Sequence, residues 1–341
     1  ENGYVLVRTR NGLSNAFPIS VSRNPGRLSR GDSVTYTLED TLVIHVAASL
    51  PDGRVSFILS KPPTTQYQST ITTIETGSDH LRAETAVWQE FRFGAADARL
   101  GRIELRRRLV IDVCEIKADI AIGSIQPLGA KPPAFLSSYL AADALVPSAN
   151  PAIVSAALSI QKKEKNPFRQ IVLAAQWTFS NIKLNEEKQI LRDDAINALK
   201  SKAGGMRSLV LINCALLRAL GIPAIPVAGF LVTEDMRLIP HYWSEYYLAG
   251  IGWIPFDPAL AIGITPSGFR PIFTDRSSYY QGIDNRHIAM ARGYQLLPSV
   301  PVEAQSKTKI SWSLFEYDEA AYGLSYTSTW NPPVLLSTAI Q

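Results

Sequence analysis

Between Tyr4 and about Ile122 the chain alternates apolar and polar positions in short runs rich in Val, Ile, Thr and Tyr. Turn clusters punctuate the runs at Asn24-Pro25-Gly26, Pro51-Asp52-Gly53 and Lys61-Pro62-Pro63. A period of two sends successive side chains to opposite faces of a strand, so the pattern predicts a β-sandwich. Gln126 to Phe135 (QPLGAKPPAF) then loses periodicity and gathers prolines, which marks a linker and a domain boundary near residue 130.

Beyond the linker the period lengthens. Asn150-Pro151 and Asn166-Pro167 each set a capping side chain before a proline suited to the first helical position, and two helices are expected. The second carries Phe168, Ile171, Val172, Ala175, Phe179 and Ile182 on one face, the stripe of a core-facing amphipathic helix. A third helix is expected to start near Asp193-Asp194 and to end in a Gly204-Gly205 turn. From Met206 to Leu220 nearly every position is apolar, so this helix should be buried on all sides, with Gly221 as its stop. Strand-like runs follow around Ile225 to Val232, His241 to Tyr247 and Trp253 to Phe256, and helices that precede strands make this domain α+β. Weak alternation from Lys309 to Trp330 adds expected edge strands.

The 341 residues are 46% hydrophobic and 19% charged, enough apolar material for two ordinary cores. The net charge of +4 is mild, and the tight run Arg106-Arg107-Arg108 lies inside a strand alternation. It reads as a solvated sheet face, so no nucleic-acid partner is expected. Cys114 and Cys214 are too few for a disulfide framework and lack zinc-site spacing; no metal and no cofactor are implied. No apolar run approaches the ~18 residues that would suggest an integral membrane span.

Candidate chemistry gathers around the apolar helix. The N-terminus of a buried helix lowers a thiol's pKa through its free N–H groups and dipole, and Gly204-Gly205 would let backbone amides approach a reacting carbonyl as an oxyanion hole. Residue 206, where such a nucleophile would stand, is methionine. Its sulfur carries no proton, so it forms neither a thiolate nor an ordinary acyl-enzyme. A base is available downstream. If Leu248, Ala249 and Gly250 form a three-residue hairpin loop, Tyr247 pairs with Ile251, Glu245 with Trp253, Trp243 with Pro255 and His241 with Asp257. Directly opposed residues have Cβ atoms ~4.5–5.5 Å apart, close enough for a carboxylate to hold an imidazole N–H. A structural hydrogen bond and a catalytic pair both fit.

The remaining candidates have two readings each. Cys214 lies about two helical turns beyond residue 206 and is either an inert buried thiol or a displaced nucleophile. Ser208 falls on a different side of the helix. His45, in LVIHVA, reads as a core or interface residue; His80 borders a turn; His287, in DNRHIAM, is either structural or near enough to approach a cleft.

The segment GGMRSLVLINCALLRALGIPAIPVAG, the pattern His241-x-Trp243-x-Glu245, then Gly252-Trp253 and Asp257-Pro258 resemble the core of the transglutaminase-like superfamily over about 60 residues. That resemblance implies a papain-like fold and a Cys-His-Asp triad for acyl transfer from amides. Matched residue by residue, His241 stands at the general base, Asp257 at its orienting carboxylate, and Met206 at the nucleophile, twelve residues before Arg218. Ile225 replaces the arginine that usually follows Gly-Ile-Pro-Ala. Gly205, Trp243, Glu245 and Trp253 are the expected cleft residues. The β domain with its Tyr67-Gln68 segment resembles exported bacterial members, and the start at Glu1 without methionine suits a removed leader, so a periplasmic, surface-anchored or secreted bacterial protein is expected.

The expected organisation is an Ig-like β-sandwich over 1–130, a transglutaminase-like core over 131–300 and a C-terminal strand extension over 301–341. Three functions remain open. The first is a pseudoenzyme whose remnant cleft binds a peptide, protein or cell-wall-derived ligand. The second is a cysteine peptidase or amidase with a displaced nucleophile, and the third an interaction module acting through the β-sandwich.

Overall fold

The computed structural model describes residues 24–99, 101–129, 131–185, 194–293 and 317–340, with the short strands Asn2–Val5, Arg8–Thr9, Gly12–Leu13 and Phe17–Ser20. The alternating N-terminal half becomes a seven-stranded sheet. Its longest member, β1 (Gly26–Ser60), starts at the predicted Asn24-Pro25-Gly26 turn and stops at Lys61-Pro62. The other strands of this half are β2 (Gln68–Thr76), β3 (Leu81–Glu84), β4 (Trp88–Gly94) and β5 (Arg102–Ile120). β5 pairs antiparallel with β1 from Gly26↔Ile120 to His45↔Arg102, and β4 takes over from Arg54↔Gly94 to Ser60↔Trp88. Pro51-Asp52-Gly53, expected as a turn between strands, lies within β1. Leu42 and Ile44 before it share one apolar cluster with Val55, Phe57 and Leu59 after it, so both halves of the strand close on a single core.

Two strands from beyond residue 280 join this sheet. β9 (Gly282–Ile283) pairs with β5, and β11 (Tyr317–Ile340) runs along β1 from Tyr317↔Leu59 to Ile340↔Val34. The expected strands between Lys309 and Trp330 therefore lie in the N-terminal sheet where they are described; residues 301–316 lie outside the described residues. Arg107 departs from the expected solvated face. Alternation turns it inward, where it is 2% exposed, and its Nε and Nη2 donate to Asp40 at 3.0 and 2.5 Å. Arg106 and Arg108 keep the outer face, paired with Glu104 and Glu75. His45 is exposed on a sheet face rather than in a core.

The proline-rich linker is irregular, and the helices follow where the caps place them. Asn150 Oδ1 accepts from Ala152 N at 3.0 Å to open α1 (Pro151–Lys163), and Asn166 Oδ1 from Arg169 N at 3.2 Å to open α2 (Pro167–Asn181). Asp194 caps α3 (Ala195–Ser201). The turn out of α3 is made by Lys202, at φ 56°, rather than by the two glycines. Gly204 is needed for space: a Cβ there would lie 2.8 Å from that of Ala198.

The apolar run forms α4 (Met206–Ala219), with Ser208 to Arg218 all buried. Ile222 N donates to Leu217 O and Gly221 N to Arg218 O, which is the Schellman closure expected of a glycine stop. α4 packs against α1, α2 and an antiparallel sheet ordered β8-β7-β6-β10, where β6 is Ala224–Val232, β7 Leu238–Leu248, β8 Gly252–Phe256 and β10 His287–Arg292. Apolar contacts bind the two halves: Tyr36, Leu38, Leu109, Ile111 and Val113 share a cluster with Phe230, Val232, Ile288 and Met290.

Candidate functional site

Met206 is the first residue of α4, half-buried and packed against the helical core, with Gly205 as the N-cap before it. The position has the helix-start chemistry that would activate a thiol, and a thioether fills it.

His241 comes from β7, and Asp257 follows β8 as the N-cap of the short helix α5 (Pro258–Ala261). Ladder pairs run Tyr247↔Trp253, Glu245↔Pro255 and Ser244↔Phe256, so the three-residue loop is Ala249 to Ile251. Gly250 takes the expected left-handed conformation at φ 84°, but the pairing is two residues out of the expected register. A two-residue slip keeps every side chain on its face. His241 and Asp257 thus share a side of the sheet on neighbouring rows, and His241 Nε2 reaches Asp257 Oδ2 at 2.6 Å. The other carboxylate oxygen, Oδ1, accepts from Ala259 N at 3.0 Å and Leu260 N at 2.9 Å, so helix capping orients the carboxylate. Burial works to raise the Asp257 carboxyl, but His241 and then His287 outweigh it and hold it well below the usual carboxylate range. An ionised carboxylate only accepts, so the His241 ring donates through Nε2.

His287 is a second histidine at the site. β10 brings it against the same carboxylate, with Nε2 3.4 Å from Asp257 Oδ2, and its Nδ1 lies 2.8 Å from Asp284 Oδ1. Asp284 also accepts from the Tyr279 hydroxyl and from Arg286 N at 3.0 Å. His241, Asp257, Asp284 and His287 are all within 1% of complete burial. The only sequence signal for this group was the spacing Asp284-x-x-His287 in a polar run; its nearness to Asp257 comes from β6, which pairs with β7 on one side and β10 on the other. Gly229 of β6 makes the crossing possible, since a Cβ there would lie 2.0 Å from Ile288 O and 2.6 Å from the Trp243 ring.

The expected cleft residues divide. Trp243 is fully buried beneath the histidines, its ring 5.3 Å from His287 and 6.4 Å from His241 between centroids. Glu245 is 2% exposed and engaged by Tyr67 Oη at 3.0 Å and by Arg292 Nη2 at 2.7 Å. These two support the site from below and do not line a cleft. Trp253 is half-buried, 5.0 Å from the Tyr139 ring and under the Arg292 guanidinium. The Tyr67-Gln68 segment reaches across from the N-terminal sheet, where the Gln68 amide exchanges bonds of 2.9 and 2.8 Å with the Ala289 backbone.

Neither cysteine stands at the head of α4. Cys214 has no exposure, lies 3.3 Å from Ser244 Oγ, and is pushed up to about 12 by burial. Cys114 belongs to β5, and burial raises it too. Arg218, the motif arginine, ties the end of α4 to the start of β6 through Ala224 O and to the segment before α1 through Ala141 O and Asp143 Oδ2. Among the described residues, no group of three or more His, Cys, Asp and Glu side chains is arranged to hold a metal, and no helix is long and apolar enough to cross a membrane.

A buried helix on an antiparallel sheet that carries an adjoining His–Asp pair is the class of core that the motifs implied. Residues 154–258 match the sequence profile of the transglutaminase-like superfamily, and this part of the chain is a transglutaminase-like domain. The matched span holds Met206, His241 and Asp257 and ends before Asp284 and His287. The fold as a whole is similar to that of a candidate cysteine protease from Cytophaga hutchinsonii, with a TM-score of 0.54 at 13% identity, covering 92% of this chain and 100% of the other. The periplasmic domain of TgpA from Pseudomonas aeruginosa is more distant, at a TM-score of 0.36 and 13% identity over 64% of this chain and 87% of its own. No curated protein sequence matches the chain.

Proposed function

We propose that this protein is a transglutaminase-like pseudoenzyme, in which the remnant site binds a peptide, protein or cell-wall-derived ligand and does not cleave it. The observation that carries the reading is the pairing of an intact His241–Asp257 contact with a methionine at the head of α4. Without a proton on the Met206 sulfur, His241 has nothing to activate there. The displaced-nucleophile alternative is disfavoured by Cys214, whose thiol is enclosed in the core and held in its neutral form. The reading includes an exported bacterial protein, as the resemblance of the β domain with its Tyr67-Gln68 segment to exported members implies.

Installing the thiol tests the proposal. Met206→Cys should be alkylated by iodoacetamide at residue 206 several-fold faster than an ordinary exposed thiol at neutral pH, and His241→Ala should remove that advantage. The natural protein should leave amide substrates intact. Amide cleavage by the natural protein that disappears in His241→Ala would overturn the reading, and a sluggish, His241-independent thiol at 206 would show that no catalytic architecture survives.

A further inference from the structure

We infer that His287, held by Asp284, stands as a buried imidazolium that positions Asp257, and through it His241, in the candidate site. The inference rests on the reading of His241 and Asp257 as the remnant base and its carboxylate. It follows from counting donors and acceptors. Asp284 receives the Tyr279 hydroxyl and Ile272 N on Oδ2 and Arg286 N on Oδ1, so it acts as an ionised acceptor and His287 Nδ1 must donate to it. A neutral His287 would then turn the lone pair of Nε2 toward Asp257 Oδ2 at 3.4 Å. Lone pair against carboxylate, in a site where both residues have no exposure, is repulsive; a second ring proton converts it to a charge-assisted contact.

The surroundings agree. Trp243, Phe269 and Tyr279 wall the imidazole at centroid distances of 5.3, 6.3 and 6.1 Å. The titratable groups facing it are Asp257 after β8, His241 on β7, Tyr279 before β9, and Asp284 between β9 and β10. Around Asp284 stand Tyr36 of β1, Glu115 of β5 and Arg286. Burial presses the His287 ring toward neutrality, yet Asp284 and Asp257 outweigh it and lift its titration to about 9. With two buried carboxylates on either side of it, the cation keeps Asp257 ionised and fixed in place whatever proton His241 carries. His287 is a positioning residue, acting through Asp257.

Ring-nitrogen NMR on the full chain with 15N-labelled histidine tests this directly. His45→Gln and His80→Gln assign the other two histidines, neither of them in the core. In the natural protein the His287 ring should be doubly protonated at about pH 8, and the His241 signals should show an inflection where His287 titrates. Asp284→Asn should lower the His287 titration by at least about one pH unit, a tenfold weaker proton affinity, and move the His241 signals. A singly protonated His287 at about pH 8, or His241 signals indifferent to its titration, would overturn the inference. Both readouts exist in the natural protein, so a poorly folding Asp284→Asn does not leave the matter open. Alkylation of Met206→Cys tests the underlying reading separately: His241-dependent alkylation beside a neutral His287 would sink the positioning role alone.

Discussion

His241 and Asp257 meet at 2.6 Å from rows of the sheet that do not face each other. The β7–β8 ladder ends at Ser244↔Phe256, and its extension sets Trp243, not His241, across from Asp257. The contact closes on the diagonal because Asp257 turns out of the strand to cap α5, fixing one oxygen and aiming the other.

Capping and pairing should separate in two variants. Asp257→Asn keeps an oxygen for Ala259 and Leu260 but loses the charge between the two histidines, whereas Asp257→Ala loses both. Removing a cap costs about 1 kcal/mol and leaving a buried charge uncompensated about 3–5 kcal/mol. Urea denaturation should therefore rank natural protein above Asp257→Asn above Asp257→Ala. Equal stability of the two variants would refute the capping role.

Stability should fall on both sides of neutrality. Asp257 and Asp284 titrate below their ordinary values when folded, so their contribution is present above about pH 4 and is lost as pH falls through the folded values. His287 titrates above its ordinary value, so its contribution is complete below about pH 6.5 and is lost as pH rises toward about 9. Chemical denaturation between these two pH values should show a loss on the order of 2–3 kcal/mol. A flat profile over that window would contradict a charged His287.

Cys214 should react only after unfolding. Its burial and its contact with Ser244 predict no modification of the folded protein by iodoacetamide at neutral pH and full modification in denaturant. Mass mapping at both conditions checks it, and rapid native labelling of Cys214 would reopen the displaced-nucleophile alternative.

Gly229→Ala should be severe for a residue that touches no charge. The added carbon has Ile288 O at 2.0 Å and the Trp243 ring at 2.6 Å, so β6 must move from β10 or Trp243 must leave the floor of the histidines. A cost of about 3 kcal/mol or more is expected, within the range of overpacking. It should appear in denaturation and as displaced His241 and His287 ring signals.

The three consecutive arginines should behave unalike. Arg107→Ala leaves Asp40 buried without its partner and should cost about 3–5 kcal/mol, while Arg106→Ala and Arg108→Ala lose solvent-screened pairs and should barely move the midpoint. Similar midpoints in all three variants would mean that Arg107 is not held as the structure has it.

What the sequence determined by itself is what neighbouring residues decide. Asn150-Pro151, Asn166-Pro167 and Asp194 announce helix starts because a cap bonds an amide two or three residues away. The enclosure of α4 is legible because no polar stripe is available to it, and the face shared by His241 and Asp257 because parity survives a two-residue slip. That residue 206 is a methionine is likewise a fact of one position. Tertiary structure alone decided the rest. Register depends on which loop residues turn, and it is the ladder from Ser244↔Phe256 to Leu248↔Gly252 that picks Ala249–Ile251 over Leu248–Gly250. Arg107 goes inward because Asp40, 67 residues earlier, waits in the partner strand, and β11 joins β1 across most of the chain. His287 reaches Asp257 only because β6 holds β7 and β10 on its two sides, so the charge balance of the site comes from contacts that no local pattern encodes.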